Sequence, residues 1–124
     1  MDNTTDSQIT GTNAKEIVLS LLNALNKEDF VTARTYVAKD FKFKGVLGSR
    51  DGSDAYFNDM EKMKLKYDIK KVFVNNDDVC ILYDFTSGGI TTFGCAVYHL
   101  ENDKVKELKV IFDPRPILEA QPKR

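Results

Sequence analysis

Two apolar segments separated by Gly88-Gly89 constrain the fold of this chain more than any other feature. The segments Val79–Ser87 and Ile90–Glu101 have the composition of β-strands, and two adjacent glycines are typical of a two-residue hairpin turn. Counting outward from the turn gives the pairs Ser87–Ile90, Phe85–Thr92, Tyr83–Gly94, Ile81–Ala96 and Val79–Tyr98. Because side chains alternate between the two faces of a sheet, this register also predicts which residues share a face.

A further strand follows the turn at Asn102-Asp103 and runs from Lys104 to Asp113. It must end there because Pro114 and Pro116 cannot extend a ladder. Counting from this second turn pairs Tyr98 with Glu107, Gly94 with Ile111 and Thr92 with Asp113. We therefore expect Asp113 to share a face with Tyr83, Phe85, Thr92 and Ile111.

The first half of the chain has helical periodicity. Asn13–Glu16 resembles a capping box, and an apolar stripe follows it at Ile17, Val18, Leu21, Leu22 and Leu25. A second helix follows Asn26–Asp29, a strand carries Phe41 and Phe43, and residues 48–52 form a loop before a third helix whose inward face includes Tyr56 and Met60. The sequence thus predicts an α+β fold of order α-α-β-α-β-β-β-β, with an antiparallel sheet packed on three N-terminal helices.

The composition predicts one domain and excludes several classes of function. A chain of 124 residues fits a single domain, with residues 1–13 as a flexible N-terminal tail, 14–118 as the domain and 119–124 as a C-terminal tail. The net charge of -1 argues against nucleic acid and anionic membranes as partners. No apolar stretch approaches bilayer length, and residues 1–13 lack signal-peptide features, so we expect a cytoplasmic protein. One histidine and two cysteines without a CxxC spacing predict no metal and no cofactor.

The predicted register places a set of aromatic and apolar side chains where they can line a pocket. The expected lining residues are Tyr56, Met60, Tyr83, Phe85, Thr92, Ala96, Tyr98 and Ile111. Asp113 is the candidate catalytic residue, because desolvation beside Phe112 can raise a carboxyl pKa towards useful acid–base chemistry. The alternative is that Asp113 is a turn carboxylate paired with Arg115.

The opposite face of the predicted sheet is at least as apolar. It carries Cys80, Leu82, Phe93, Cys95, Val97, Leu108, Val110 and Phe112. Three helices cover only one face, and a large exposed apolar patch usually marks an interface. We therefore expect a homodimer that forms through the sheet.

Several of these features together resemble the nuclear transport factor 2-like superfamily, in its SnoaL-like branch of polyketide-cyclase-like and ketosteroid-isomerase-like proteins. The resemblance rests on the element order, on Lys27–Phe30 between the first helices, and on Lys104–Glu107 followed by Asp113 and Gln121. It implies a cone-shaped, curved sheet wrapped around a long helix, with a pocket between them.

The resemblance implies less about catalysis. Ketosteroid isomerases use a carboxylate base with Tyr and protonated Asp as oxyanion donors, and these positions fall at Gly45, Leu21 and Ala96 here. Asp113 alone matches an acid–base position of cyclase-like relatives. We therefore expect a protein that binds a small, partly apolar ligand. The alternatives are a cofactor-independent cyclase, isomerase or hydratase that uses Asp113, and a protein-interaction module that uses the apolar sheet face.

Overall fold

The structure is a computed structural model that describes the backbone of residues 2–120 and the side chains of residues 13–119. Its elements, in chain order, are α1 (Asp2–Asn26), α2 (Phe30–Arg34), β1 (Val37–Gly45), β2 (Gly48–Asp51), α3 (Ser53–Met63), β3 (Lys66–Asn75), β4 (Asp78–Ser87), β5 (Ile90–Glu101), β6 (Lys104–Phe112) and α4 (Arg115–Ala120). None of the helices in this part of the chain is long and apolar enough to cross a bilayer.

The predicted α+β fold and its element order are confirmed, with two additional elements. Residues 48–51, predicted as loop, form the short edge strand β2, which pairs antiparallel with β1. Helix α4 follows the last strand. The sheet has the order β2-β1-β6-β5-β4-β3, and its one parallel pair joins β1 to β6, so the sheet is mixed and not wholly antiparallel.

Helix α1 begins well before the predicted capping box. Its backbone is helical from Asp2, so Asn13 lies inside the helix and is not its N-cap. The helix therefore includes residues 2–13, which the sequence analysis assigned to an N-terminal tail. A helix nucleated by the buried stripe at Val18, Leu21 and Leu22 extends upstream at little cost per residue, since nucleation is the expensive step.

The hairpin between β4 and β5 has the predicted register. Ser87 pairs with Ile90, Phe85 with Thr92 and Val79 with Tyr98. Gly88 and Gly89 have φ values of 57° and 84°, the left-handed region that a type I′ turn requires at both central positions. The inner face of the sheet, which carries Ile81, Tyr83, Ala96 and Tyr98, is therefore the predicted one.

The predicted pairing of β6 is wrong beyond Val105, because Lys106 forms a β-bulge. His99 pairs with Glu107 while Leu100 pairs with Val105, so one extra residue stands on β6. A one-residue offset turns every later side chain to the other face. Tyr98 accordingly pairs with Leu108 and not with Glu107. Side chains predicted for the opposite face now point inward (Leu108, Val110 and Phe112), whereas Ile111 points outward and is 68% exposed.

A second bulge interrupts β3. Ile69 pairs with Tyr83 and Lys71 with Leu82, which leaves Lys70 as the extra residue. Its ammonium lies 2.8 Å from the carboxylate of Asp68 and 3.8 Å from that of Asp84, two acids that are directly opposite each other. The lysine therefore offsets the repulsion between them.

The core lies between the inner face of the sheet and helices α1 and α3. Its fully buried side chains are Val18, Leu21, Leu22 and Leu25 of α1, Phe57 of α3, and Phe41, Val79, Ile81, Ala96 and Val105 of the sheet. The apolar stripe of α1 thus packs against the inward-facing side chains of the sheet. Burial of these apolar side chains is the main source of the stability of the fold.

The end of α1 is attached to the start of β3 by a side-chain amide. Asn26 Nδ2 donates to the carbonyl of Tyr67 at 2.9 Å, and the backbone N–H of Tyr67 donates to Asn26 Oδ1 at 2.7 Å. The Lys66 ammonium adds a bond to the carbonyl of Asn26 at 3.0 Å. These contacts set where the sheet edge lies against the helix.

We expect Asn26→Ala to lower the free energy of unfolding by about 1–3 kcal/mol, because it leaves two partly buried backbone groups of Tyr67 without partners. Chemical denaturation measures the loss. The control is Asn23→Ala, an exposed position on the same helix, which should change stability by about 0.5 kcal/mol or less. Equal effects of the two variants would contradict the role of Asn26.

Gly94 allows Tyr83 to pack flat against β5. A Cβ at position 94 would lie 3.0 Å from Tyr83 Cε1 and 3.4 Å from Phe85 Cε1. Tyr67 and Phe85 contact the Tyr83 ring edge-on at centroid distances of 5.0 and 5.9 Å, which limits its movement away from position 94. Close packing therefore favours glycine here.

We expect Gly94→Ala to destabilise the fold by about 1–3 kcal/mol through overpacking. A double-mutant cycle with Tyr83→Leu tests the cause, since the smaller side chain should remove most of the penalty. A penalty of the same size in both backgrounds would show that the Tyr83 contact is not its source.

Candidate functional site

A cavity of about 340 Å³ opens between the inner face of the sheet and helices α3 and α4. Its apolar wall comes from side chains of every layer: Phe43 of β1, Tyr56, Met60 and Met63 of α3, Tyr67 of β3, Tyr83 and Phe85 of β4, Tyr98 of β5, Leu108, Val110 and Phe112 of β6, and Ile117 of α4. A volume of this size accommodates a small organic molecule.

Four tyrosines belong to this wall: Tyr56, Tyr67, Tyr83 and Tyr98. Burial raises the pKa of all four phenols, and neighbouring tyrosines raise the pKa of Tyr67, Tyr83 and Tyr98 further. The phenols are therefore protonated at neutral pH and lie close enough to affect one another's ionisation. No hydrogen bond joins their hydroxyls to another residue in the described part of the chain. Each hydroxyl therefore retains its donor and acceptor capacity among the described residues.

The charged side chains among the described residues of the cavity wall form an ion pair. Arg50 Nε lies 2.7 Å from a carboxylate oxygen of Asp59, and both side chains line the cavity. The adjoining β1–β2 turn places Val46 and Leu47 on the rim, where they are 44% and 59% exposed. The interior is thus apolar with phenolic groups, while the formal charges are partly exposed.

The structure brings five of the eight predicted lining residues together. Tyr56, Met60, Tyr83, Phe85 and Tyr98 line the cavity, a grouping that the hairpin register and the third helix predicted. Three do not line it. Ala96 and Thr92 are buried away from it, and Ile111 lies on the opposite face because of the bulge at Lys106.

Asp113 does not have the environment of a catalytic acid or base. It is absent from the cavity wall, and its half-exposed carboxylate is held by Arg115 through Nε at 2.9 Å and Nη2 at 2.7 Å. The Arg115 backbone N–H also donates to it at 3.0 Å. These hydrogen bonds lower the pKa of Asp113 to about 2. A carboxylate stabilised in its ionised form by an adjacent arginine is a poor base, and the turn alternative describes this geometry.

Two other polar residues of the sheet also lie outside the cavity wall. His99 Nδ1 is 2.7 Å from Asp78, and this hydrogen bond raises the pKa of the imidazole. Glu101 approaches the other ring nitrogen at 3.3 Å. Asp84 faces Lys70, as described above. These contacts form a polar band along the outer face and not a catalytic group.

Sequence reasoning missed part of the wall. Leu108, Val110 and Phe112 were assigned to the wrong face, and the contributions of Phe43, Tyr67, Arg50 and Asp59 were not foreseen. Strict alternation cannot reveal a bulge, so the first error was inherent in counting. The period of Phe41 and Phe43 did indicate an inward-facing strand, but not the distance to α3.

Comparisons with known proteins find a matching domain profile and similar solved structures. A profile of the SnoaL-like domain matches residues 18–108. Among solved structures, an NTF2-like protein of unknown function from Cytophaga hutchinsonii ATCC 33406 is 43% identical, with a TM-score of 0.84 over 85% of this chain and 94% of that one. None of the curated proteins matches the chain.

More distant structures share the fold. An LEH-like epoxide hydrolase from M. tuberculosis is 19% identical, with a TM-score of 0.75 over 88% of this chain and 89% of its own. A proposed SnoaL-like polyketide cyclase from Jannaschia sp. CCS1 is 14% identical, with a TM-score of 0.78 over 91% and 96%. At such identities the likeness concerns the fold alone. The domain profile and the 43% identical structure show that this chain belongs to the SnoaL-like family of the NTF2-like superfamily.

Proposed function

We propose that the protein binds a small, uncharged and largely apolar molecule that carries at least one oxygen, such as a carbonyl or hydroxyl group. The observation that carries the proposal is the cavity of about 340 Å³ whose apolar wall includes four protonated tyrosines. Apolar surface favours a hydrophobic body, and phenolic hydroxyls donate to a ligand oxygen.

The same wall disfavours a charged ligand. Moving an ionised group from water into apolar surroundings is costly unless a partner charge compensates it. Among the described residues of the cavity wall, the formal charges are those of Arg50 and Asp59, which compensate each other at 2.7 Å. A neutral molecule that carries an oxygen atom can form hydrogen bonds with the phenols without the cost of burying a charge.

The alternative of a cofactor-independent acid–base enzyme that uses Asp113 receives no support from the geometry. It requires the carboxyl group to face a closed apolar cavity within reach of a substrate. Asp113 is instead half-exposed and paired with Arg115. We therefore propose a binding function without assigning a reaction to it.

We expect 2-acetylnaphthalene to bind more tightly than 2-isopropenylnaphthalene, a hydrocarbon of similar shape in which a CH2 group replaces the carbonyl oxygen. The double variant Tyr83→Phe/Tyr98→Phe should lose about two- to tenfold in affinity for the ketone, because one lost hydrogen bond is worth about 0.5–1.5 kcal/mol. Affinity for the hydrocarbon should change little. Isothermal titration calorimetry measures both.

The control for this experiment is Tyr36→Phe, at a half-buried tyrosine outside the cavity wall, which should leave both affinities unchanged. Equal affinity of the wild type for the two compounds would overturn the role of the phenols. Failure of both compounds to bind would count against the cavity as a binding site.

We also propose that the protein is a homodimer that forms through the outer face of the sheet. This face carries Cys80, Leu82, Phe93, Cys95, Val97 and Ile111, together with Phe73 of β3. Phe73, Phe93 and Ile111 are 55%, 58% and 68% exposed. Such a patch favours an interface. The face also carries both acidic and basic residues, so that it can oppose a second copy of itself across a two-fold axis.

We expect the wild type to elute as a dimer at micromolar concentration in size-exclusion chromatography with light scattering. Phe93→Lys should shift it to the monomer, because a charge would then be buried at the interface. The new lysine would stand directly opposite Asp84, so the fold itself should tolerate it.

The matched control is Val31→Lys on α2, where the valine is 80% exposed and far from the sheet face. It should remain dimeric. A wild type that elutes as a monomer would contradict the proposed dimer, and capture of a different protein by this face would then favour the interaction-module alternative.

A further inference from the structure

The two cysteines of the chain meet on the outer face of the sheet. Cys80 of β4 pairs with Val97, and Cys95 of β5 pairs with Leu82, so the cysteines occupy diagonal positions on adjacent strands. Their sulfur atoms are 3.5 Å apart, and both residues are partly exposed. Two thiols in contact on an accessible surface can be oxidised to an intramolecular disulfide, which a single thiol cannot form.

In the resting protein the pair consists of two thiols. Burial, and then the contact with Cys95, raises the pKa of Cys80. A neutral thiol reacts slowly, since the thiolate is the nucleophile. The pair is therefore not a permanently reactive site, but once one sulfur is modified the second is already within contact distance.

We propose that Cys80 and Cys95 form a redox modification site that closes to an intramolecular disulfide on reaction with a small disulfide such as oxidised glutathione. The thiolate of one cysteine attacks the glutathione disulfide, which forms a mixed disulfide and releases one glutathione thiolate. The thiolate of the second cysteine then attacks the protein sulfur and releases the second glutathione. The protein loses two protons and two electrons, and one glutathione disulfide becomes two glutathione molecules.

The position of the pair keeps this disulfide open to reduction. Both cysteines are partly exposed on the outer face of the sheet. An exposed disulfide has a more oxidising potential than a buried structural one. We therefore expect cellular thiols to reverse the modification.

The experiment equilibrates the protein in glutathione buffers of increasing oxidised fraction, quenches it with acid and determines its mass and its cysteine-containing peptides. The wild type should lose two hydrogen atoms and yield a linked Cys80–Cys95 peptide without retaining glutathione. Cys80→Ser and Cys95→Ser should instead form the mixed disulfide, and only at about tenfold more oxidised glutathione, since they lack the effective concentration of the second thiol.

Because the pair lies on the proposed dimer interface, the same titration is made with Phe93→Lys, in which this face is open. A linked peptide in either the wild type or Phe93→Lys supports the site, and its loss on return to reduced glutathione confirms reversibility. The proposal is overturned if both proteins keep two free thiols or accumulate glutathione adducts without the linked peptide. A disulfide that persists in reduced glutathione would overturn the inferred lability.

Discussion

The β-bulge at Lys106 is the constraint on which the site depends. It lies where β6 meets both β5 and the parallel strand β1, and the Lys106 ammonium contacts the carboxylate of Asp40 on β1. Because alternation in a strand has a period of two, this one residue turns Leu108, Val110 and Phe112 towards the helices and Ile111 away from them. Without the bulge, the cavity would lose one wall, and the outer face would gain three large apolar side chains.

Two properties of the cavity determine its shape and the ligands that it can accept. Its aromatic rings pack edge-on against one another, as Phe85 does with Tyr83 and with Phe112, which holds the wall in place without filling the space. Its phenols stay protonated because burial opposes their ionisation. The result is an apolar space with neutral hydrogen-bonding groups, and this selects for ligands by shape and by neutral oxygen atoms more than by charge.

The two faces of the sheet have different roles because they have different neighbours. Helices α1 and α3 cover the inner face and leave the cavity between the layers, whereas no described element covers the outer face. The apolar side chains and the cysteine pair of the outer face therefore meet solvent or a second molecule. Lys70 contacts Asp68 and Asp84, and His99 contacts Asp78 and Glu101, which lowers the cost of covering these acids with a partner.

The amino-acid sequence predicted the α+β order, the β4–β5 register and the inward position of Tyr56, Met60, Tyr83, Phe85 and Tyr98. These features follow from local rules, namely turn chemistry at Gly88-Gly89 and the periods of helix and strand. The bulges and the parallel pairing of β1 with β6 emerged only in the tertiary structure. At one of these bulges Lys106 contacts Asp40, a residue of a strand that is distant in the chain. Such contacts leave no period in the sequence, which is why counting along the chain placed Ile111 and Asp113 at the cavity and the structure did not.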